Sequence, residues 1–311
     1  MAKPTRSFRG SLGDVDIRLL RVFRAVAESG GLSAAEALLN VGRSTISMQI
    51  ADLEARLGVR LCRRGRGGFA LTEHGQVVHA AALKLLASIE DFRSEVNAAQ
   101  ARLTGALNIG FVEHSIRHPD FRLSDALGRF KDRAPEVHIT VQARNVQDIE
   151  DAVLHGRLHV GIIILHRRRA GLVYRDLIAE VQGPFCARNH PLFARADDTI
   201  DLEEISRHDY VGRAYVDESR ARQQYLGRVP SATAHNLEAV MVLILTGRYI
   251  GIMPTDFAGE WVQRGDIRMI APDLTAYRRD FAVITRKGTP PTPVVAAFLD
   301  DLYRAHRSDG T

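Results

Sequence analysis

The 311-residue chain is 45% hydrophobic, 25% charged and only 6% aromatic, enough for two or three domains at roughly 100–200 residues each. Two cysteines, Cys62 and Cys186, cannot build a disulfide framework, and no C-x-x-C pair offers a zinc site. The polar, basic first residues lack the apolar core of a signal peptide, and the longest apolar stretch, Leu237 to Met253, is broken by Glu238 and Arg248. These features read against secretion, membrane insertion and a disulfide-stapled fold, and the expected setting is cytoplasmic.

The net charge of +5 is unevenly spread. Residues 1–104 hold 15 basic and 10 acidic side chains, whereas the remainder holds 27 of each. A small basic unit joined to a large neutral one fits a polyanion-binding head with a second module attached. It fits a solvated basic face equally well, so motifs must decide.

The first elements read as short packed helices. Ile17, Leu20, Phe23 and Ala27 recur at helical spacing, and Gly30-Gly31 breaks that helix. Ser33-Ala-Ala-Glu36 has capping-box spacing for a second helix with Ala35, Leu38 and Leu39 on its apolar side. Gly42 supplies a turn, and Ile46, Ile50, Leu53 and Leu57 line a third helix that Gly58 ends. Two helices joined by a Gly-containing turn form a helix-turn-helix pattern. Val59–Cys62 and Gly68–Thr72 then read as a hairpin around Arg63, Arg64 and Arg66, a wing whose arginines suit phosphates or a minor groove.

Thr72 can cap a long helix over residues 73–103, about 45 Å long at 1.5 Å per residue. Val78, Ala82, Leu85, Ile89, Phe92, Val96, Ala99 and Leu103 form a heptad seam along it. That seam is expected to pair two chains through Leu85, Ile89, Phe92 and Val96; the alternative is a core helix beneath the next domain. Beyond Gly105, strands at Leu107–Phe111, His138–Ala143 and Val160–Leu165 alternate with helices at Leu123–Arg133 and Val146–His155, the pattern of a parallel sheet. A second set follows: strands Phe185–Ala187, Tyr210–Val211 and Ile250–Met253, with helices Asp217–Leu226 and Asn236–Gly247. Strand Phe281–Thr285 and helix Val294–Ala305 close the chain. Two α/β lobes with a cleft between them are expected.

These residues together resemble the LysR-type transcriptional regulators. Leu32–Leu39 and Ser44–Gly58 match that family's second and recognition helices, and Leu61, Arg64, Gly67, Leu71-Thr72 and Gly75 match its wing and linker start. Gly105-x-Leu107-x-Ile109-Gly110, Phe130-x-x-x-x-Pro135-x-Val137, Leu154-x-Gly156-x-Leu158, His190-Pro191-Leu192 and Gly247-x-x-Ile250-Gly251-Ile252-x-Pro254 match its effector domain. The resemblance implies a winged helix-turn-helix head over 15–72, a linker and dimerisation helix over 73–103, and an effector domain over 105–311. The effector domain is two-lobed α/β and like a periplasmic binding protein. Lobe one is about 105–178 with 280–311, and lobe two about 179–279. Three departures stand out: Gly42-Arg43-Ser44 replaces the usual Ser-Gln-Pro, Met48 stands where arginine is common, and Cys62 replaces an aromatic. Ser44 is then expected to cap the recognition helix from a shifted position, and Arg43 to favour guanine.

The implied function is sequence-specific transcriptional regulation under a small-molecule effector, without catalysis or cofactor. Its partners are double-stranded DNA and further copies of the chain, up to a homotetramer. Ser33, Arg43, Ser44, Thr45, Ser47, Met48, Gln49, Arg64 and Arg66 are the expected DNA-binding residues. The alternative is an α/β enzyme or transport-type binding protein with an accidental basic head. No phosphate-binding, nucleophile-elbow or dinucleotide fingerprint occurs. His114-x-x-x-His118 and His155-x-x-x-His159 each lack a nearby third ligand, so no metal is expected. In the resembled family the effector sits between the lobes, which here selects Ser115, Asn145, His166 and Arg213. Ser115 is read at a helix N-terminus, where amides and dipole favour an anion. With Arg144, His166 and Arg213 adding positive charge, a small organic acid is expected.

Overall fold

A computed structural model of the protein describes residues 12–65, 68–98, 102–213 and 229–307. It forms two compact units that divide near Arg93.

In the first unit, α1 (Asp14–Glu28), α2 (Leu32–Leu39) and α3 (Arg43–Leu57) pack around Phe23, Val26, Ala35, Ile46, Ile50 and Leu53, all buried. Gly30 and Gly31, at φ 76° and 150°, let the chain turn from α1 into α2 within three residues. That short connection starts α2 at Leu32 and buries its side chain. Ser33 is therefore the second helical residue, and the expected capping box is absent: the N-cap is Gly31 with no side-chain bond. Burial of an apolar residue has decided the register against a hydroxyl cap. Gly58 ends α3 at φ 71°, as its position implies.

Strands β1 (Cys62–Gly65) and β2 (Gly68–Leu71) pair antiparallel, and α4 (Glu73–Ala98) follows. Thr72 accepts from the Gly75 amide at 2.9 Å and caps α4. A Cβ on Gly75 would collide with the Leu61 carbonyl, so only glycine lets α4 lie this close to the wing. The seam of α4 is split. Val78, Ala82 and Leu85 close the core of the head, whereas Phe92 and Val96 are 66% and 46% exposed. The first half of the seam is thus core of the preceding head rather than of the next domain.

In the second unit, β3 (Gly105–Val112), α5 (Leu123–Arg133), β4 (Val137–Arg144), α6 (Val146–Leu154) and β5 (Val160–Ile164) form parallel crossovers in strand order β4-β3-β5. The 16-residue β6 (Leu172–Ala187) follows. Short α7 (Leu202–Ser206), β7 (Tyr210–Arg213), β8 (Ala232–Ala234), α8 (Leu237–Leu245), β9 (Ile250–Pro254), α9 (Thr255–Gln263), β10 (Ile267–Met269) and α10 (Pro272–Thr275) come next. Strand β11 (Tyr277–Arg286) and helix α11 (Pro293–Arg307) complete the unit. The expected helix Asp217–Leu226 lies outside the described residues. Asn236 caps α8 rather than opening it: its side chain accepts from the Ala239 amide at 2.8 Å.

Strands β6 and β11 run through both lobes, paired antiparallel from Leu172↔Arg286 to Gln182↔Tyr277 with a bulge between Asp280 and Ala282. One end of β11 pairs with β5 in lobe one; the far end of β6 pairs with β9 and β10 in lobe two. Lobe one has its own core around Ile109, Phe130, Ile149, Ile162 and Phe298, and lobe two has separate cores around Phe185, Val240 and Phe257 and around Ile205, Ile250 and Ile270. Among the described residues no helix is long and apolar enough to cross a membrane.

Candidate DNA interface and effector cleft

The apolar residues Ile46, Ile50 and Leu53 turn one face of α3 inward. Arg43, Ser44 and Met48 are then exposed on the other face, with Thr45 and Ser47 half-buried beside them. Gln49 is less available, because its Oε1 is enclosed without a partner among the described residues. Ser33 is exposed on α2. Arg64 lies on β1, and Arg66 lies outside the described residues.

Ser44 does not cap α3; the N-cap is Gly42, with no side-chain bond. The cap comes from α2 instead, since Glu36 Oε1 accepts from the Arg43 amide at 2.6 Å. This carboxylate sits where the helix dipole favours negative charge. It also fixes the angle between the two helices of the motif. Two further acidic groups hold the helix. Glu54 is buried and accepts from the Leu61 and Cys62 amides at 2.7 and 3.1 Å, which ties α3 to the wing. Asp16 takes Arg56 in a two-point pair at 2.6 and 3.1 Å. The Arg56 hydrogen bonds and the Gly13 amide hold the Asp16 carboxyl down to about 2. Neither Glu54 nor Asp16 stands out in the sequence, because acidic residues on a basic head read as surface.

In the second unit, Ser115, Asn145, His166 and Arg213 each lie at or just past the carboxyl end of a parallel strand: β3, β4, β5 and β7. Crevices outside such ends are where open α/β sheets bind ligands. The structure brings two of the four together. Ser115 and Arg213 line one narrow cleft, with Glu113, His114, Arg117, His118, Glu180, Asp256 and Phe257 among its other walls. Asn145 is elsewhere: its amide accepts from the Asp148 backbone at 2.9 Å and donates to the Asp148 carboxylate at 2.8 Å, capping α6. His166 sits in a separate cluster beside fully buried Glu150, itself bonded by the Tyr174 hydroxyl at 3.3 Å. Burial pulls the His166 imidazole below its ordinary value, against the opposing charge of Glu150. Arg144 is exposed and bonded to Gln142.

The expected helix N-terminus at Ser115 is a single 3₁₀ turn, Ser115–Arg117; α5 begins only at Leu123. Three residues carry too few aligned peptides for an appreciable macrodipole. What the turn does is present side chains to lobe two. His114, at φ 69°, stacks on Phe257 with ring centres 4.7 Å apart and reaches Glu238 at 2.8 Å. Arg117 lies over the rings of Phe257 and Trp261 at 5.6 and 5.9 Å, with Glu260 at 3.7 Å. Burial pulls the His114 imidazole below its ordinary value, more than Glu238 and Glu113 raise it.

The inner wall is built on the paired strands β6 and β11. Glu180 is buried and accepts from the Gln182 amide, which in turn accepts from the Tyr277 hydroxyl at 3.2 Å. Burial pushes the Glu180 carboxyl up, opposed by Gln182 and by the charges of Arg213, Arg279 and His118. Glu180 went unread in the sequence because β6 before Phe185 carries no apolar alternation to mark it as a strand. Among the described residues no group of three His, Cys, Asp or Glu side chains could hold a metal ion.

Comparison with known proteins decides between the two readings of this architecture. The chain matches the LysR substrate binding domain over residues 100–307 and the bacterial regulatory helix-turn-helix protein, lysR family, over residues 17–76. The chain belongs to the LysR family. This LysR-type protein is a DNA-binding transcriptional regulator with an effector-binding domain. It is 42% identical over 302 residues to the HTH-type transcriptional activator BauR of Pseudomonas aeruginosa, covering 96% of this chain and 98% of that one. It is 26% identical to the SDS degradation transcriptional activation protein of a Pseudomonas species, over 91% and 94% of the two chains. In fold it is similar to a full-length OxyR variant from Pseudomonas aeruginosa (TM-score 0.63, 21% identity, 96% of each chain). It is similar also to CbnR solved with its target DNA (TM-score 0.62, 21% identity, 93% of this chain and 99% of that one).

Proposed function

We propose that this regulator reads its operator through the exposed face of α3, and that a small organic anion bound between the lobes controls it. Arg43, Ser44, Ser47 and Met48 meet bases and phosphates in the major groove, flanked by Ser33, Thr45 and Gln49, while Arg64 and Arg66 follow the backbone or minor groove. The working parts are residues 15–72, 73–103 and 105–311, with the lobes dividing near 178 and 280. Chains join through the exposed second half of the α4 seam, as dimers and then a homotetramer. The protein works in the cytoplasm and catalyses no reaction.

The observation that carries the effector reading is the shared cavity of Ser115 and Arg213 at the carboxyl ends of β3 and β7. Arg213 and Arg279 act on its inner wall together with Glu180, whose carboxyl burial disfavours as an anion. Anion binding there biases an existing equilibrium between lobe arrangements and so the geometry of bound DNA. The test is thermal stabilisation of the full-length protein by organic acids set against their amides. An amide that stabilises as well as its acid defeats the anion reading, and a Ser115→Tyr variant that still responds defeats the site.

A further inference from the structure

On the lobe-one wall of the cleft, Ser115 and His118 have spent their hydrogens, while Arg117, with Glu260 at 3.7 Å, adds a guanidinium. Ser115 Oγ donates to the Val112 carbonyl at 2.6 Å, so towards the cavity it offers only lone pairs. His118 Nδ1 accepts from the Asp120 amide at 3.0 Å, which puts the ring proton on Nε2, and that nitrogen donates to the Ala179 carbonyl at 3.0 Å. Asp256 is 3.8 Å from the same nitrogen, beyond hydrogen-bond reach. Glu113 Oε2 is enclosed and takes no hydrogen bond among the described residues. Around Glu113 and Ser115 this wall therefore presents acceptors, while positive charge acts on the inner wall through Arg213 and Arg279 and on the lobe-one side through Arg117.

A ligand with only an anionic group answers half of this arrangement. It would leave an enclosed carboxylate oxygen unmet and bring a negative charge into a cavity already lined by the carboxyl groups of Glu113 and Asp256. We propose that the effector is a small zwitterion whose protonated amine is bound by Glu113 and the Ser115 hydroxyl oxygen while its carboxylate is bound by Arg213. An ammonium supplies three N–H donors to a wall that has acceptors to spare. The inference rests on the cleft being the effector site and adds the second pole of the ligand.

The experiment is calorimetric titration of the full-length protein with a panel of amino acids. Each is paired with the acid that lacks its amine, the amine that lacks its carboxylate, and its amide. The expected result is an amino acid that binds about tenfold or more tighter than either single-pole relative, as charged hydrogen bonds of this kind allow. The isosteric, uncharged Glu113→Gln should abolish the advantage over the deaminated acid and leave that acid's own affinity in place. Ser115→Ala should reduce the same advantage more modestly. An acid that binds as well as its amino acid overturns the second pole and leaves the anion reading standing. An amine or amide that binds as well as the amino acid, or a panel with no binder, overturns both. A Glu113→Gln protein that folds and keeps the full preference overturns the role of Glu113.

Discussion

Along α3, Arg43, Ser44 and Met48 stand in solvent, while the acidic groups that hold the helix are bonded to its backbone, to the wing or to Arg56. In the cleft the positions are reversed: Ser115, His118, Glu180 and Arg213 are themselves buried, and the bonds that fix them are made inside the wall. A duplex is a large polyanion that comes to the surface, so its reader keeps polar groups out and the frame rigid. A small effector must be enclosed, so its site keeps polar groups in and partly satisfied already. The two regions therefore differ in what a mutation removes, which is framework in one case and complementarity in the other.

The comparison can be broken most severely at Glu54. Glu54→Ala strands the Leu61 and Cys62 amides in the interior, and urea unfolding should show a loss of about 3 kcal/mol together with DNA binding. A loss below about 1 kcal/mol would mean that the helix-to-wing tie is not structural. Arg43→Ala should do the opposite: stability within about 0.5 kcal/mol of the parent, and discrimination at one base pair relaxed by about 1–3 kcal/mol in competition binding. Phe92→Asp, at a side chain already 66% exposed, should leave folding intact but lower the mass seen by light scattering; an unchanged mass removes the α4 seam as an interface.

Two smaller effects sharpen the contrast. The Asp16 carboxyl is held at about 2 by Arg56, below its ordinary 3.8. Its contribution is therefore present above pH 4 and lost as the pH falls through about 4 towards 2. The acid limb of the unfolding profile should flatten in Asp16→Asn; a profile that keeps its slope shows that Asp16 is not the titrating group. Arg117 lies half-exposed on Phe257 and Trp261, so Arg117→Ala should cost only about 0.5–1 kcal/mol in calorimetry. A larger loss would mark the 115–117 turn as framework.

Elements with their own periodicity or punctuation were legible from the residues. Leu123–Arg133 is helical over the span its apolar spacing predicts, and Gly58 and Thr72 sit at the helix ends their chemistry implies. The short head helices and the alternating strands of lobe one follow for the same reason; the wing does so in kind, but its first strand runs over Cys62–Gly65 rather than Val59–Cys62, which puts Arg63 and Arg64 on the strand. The first half of β6, Leu172 to Ala179, was not legible: its mixed polar residues make a strand only because β11 pairs along it. Helix α9 and the three-residue β10 after it escaped notice too. In the site, Ser115 and Arg213 were selected by the resemblance to the family. Glu113, Glu180 and Asp256 were not, because nothing local distinguishes a cavity carboxylate from a solvated one.

Local chemistry alone thus determined the class of this protein: a basic helix-turn-helix head, a seamed helix and a two-lobed α/β domain. Each rests on spacing within a few residues, where helix and strand periods act. Tertiary structure alone decided which polar groups are spent. Ser33 lost its cap to the burial of Leu32, Glu36 gained one on the neighbouring helix, and Asn145 was taken up by α6. A hydrogen bond is made by whichever partner folding brings within about 3 Å, and that partner is often distant in the chain, as His118 and Ala179 are across the cleft wall.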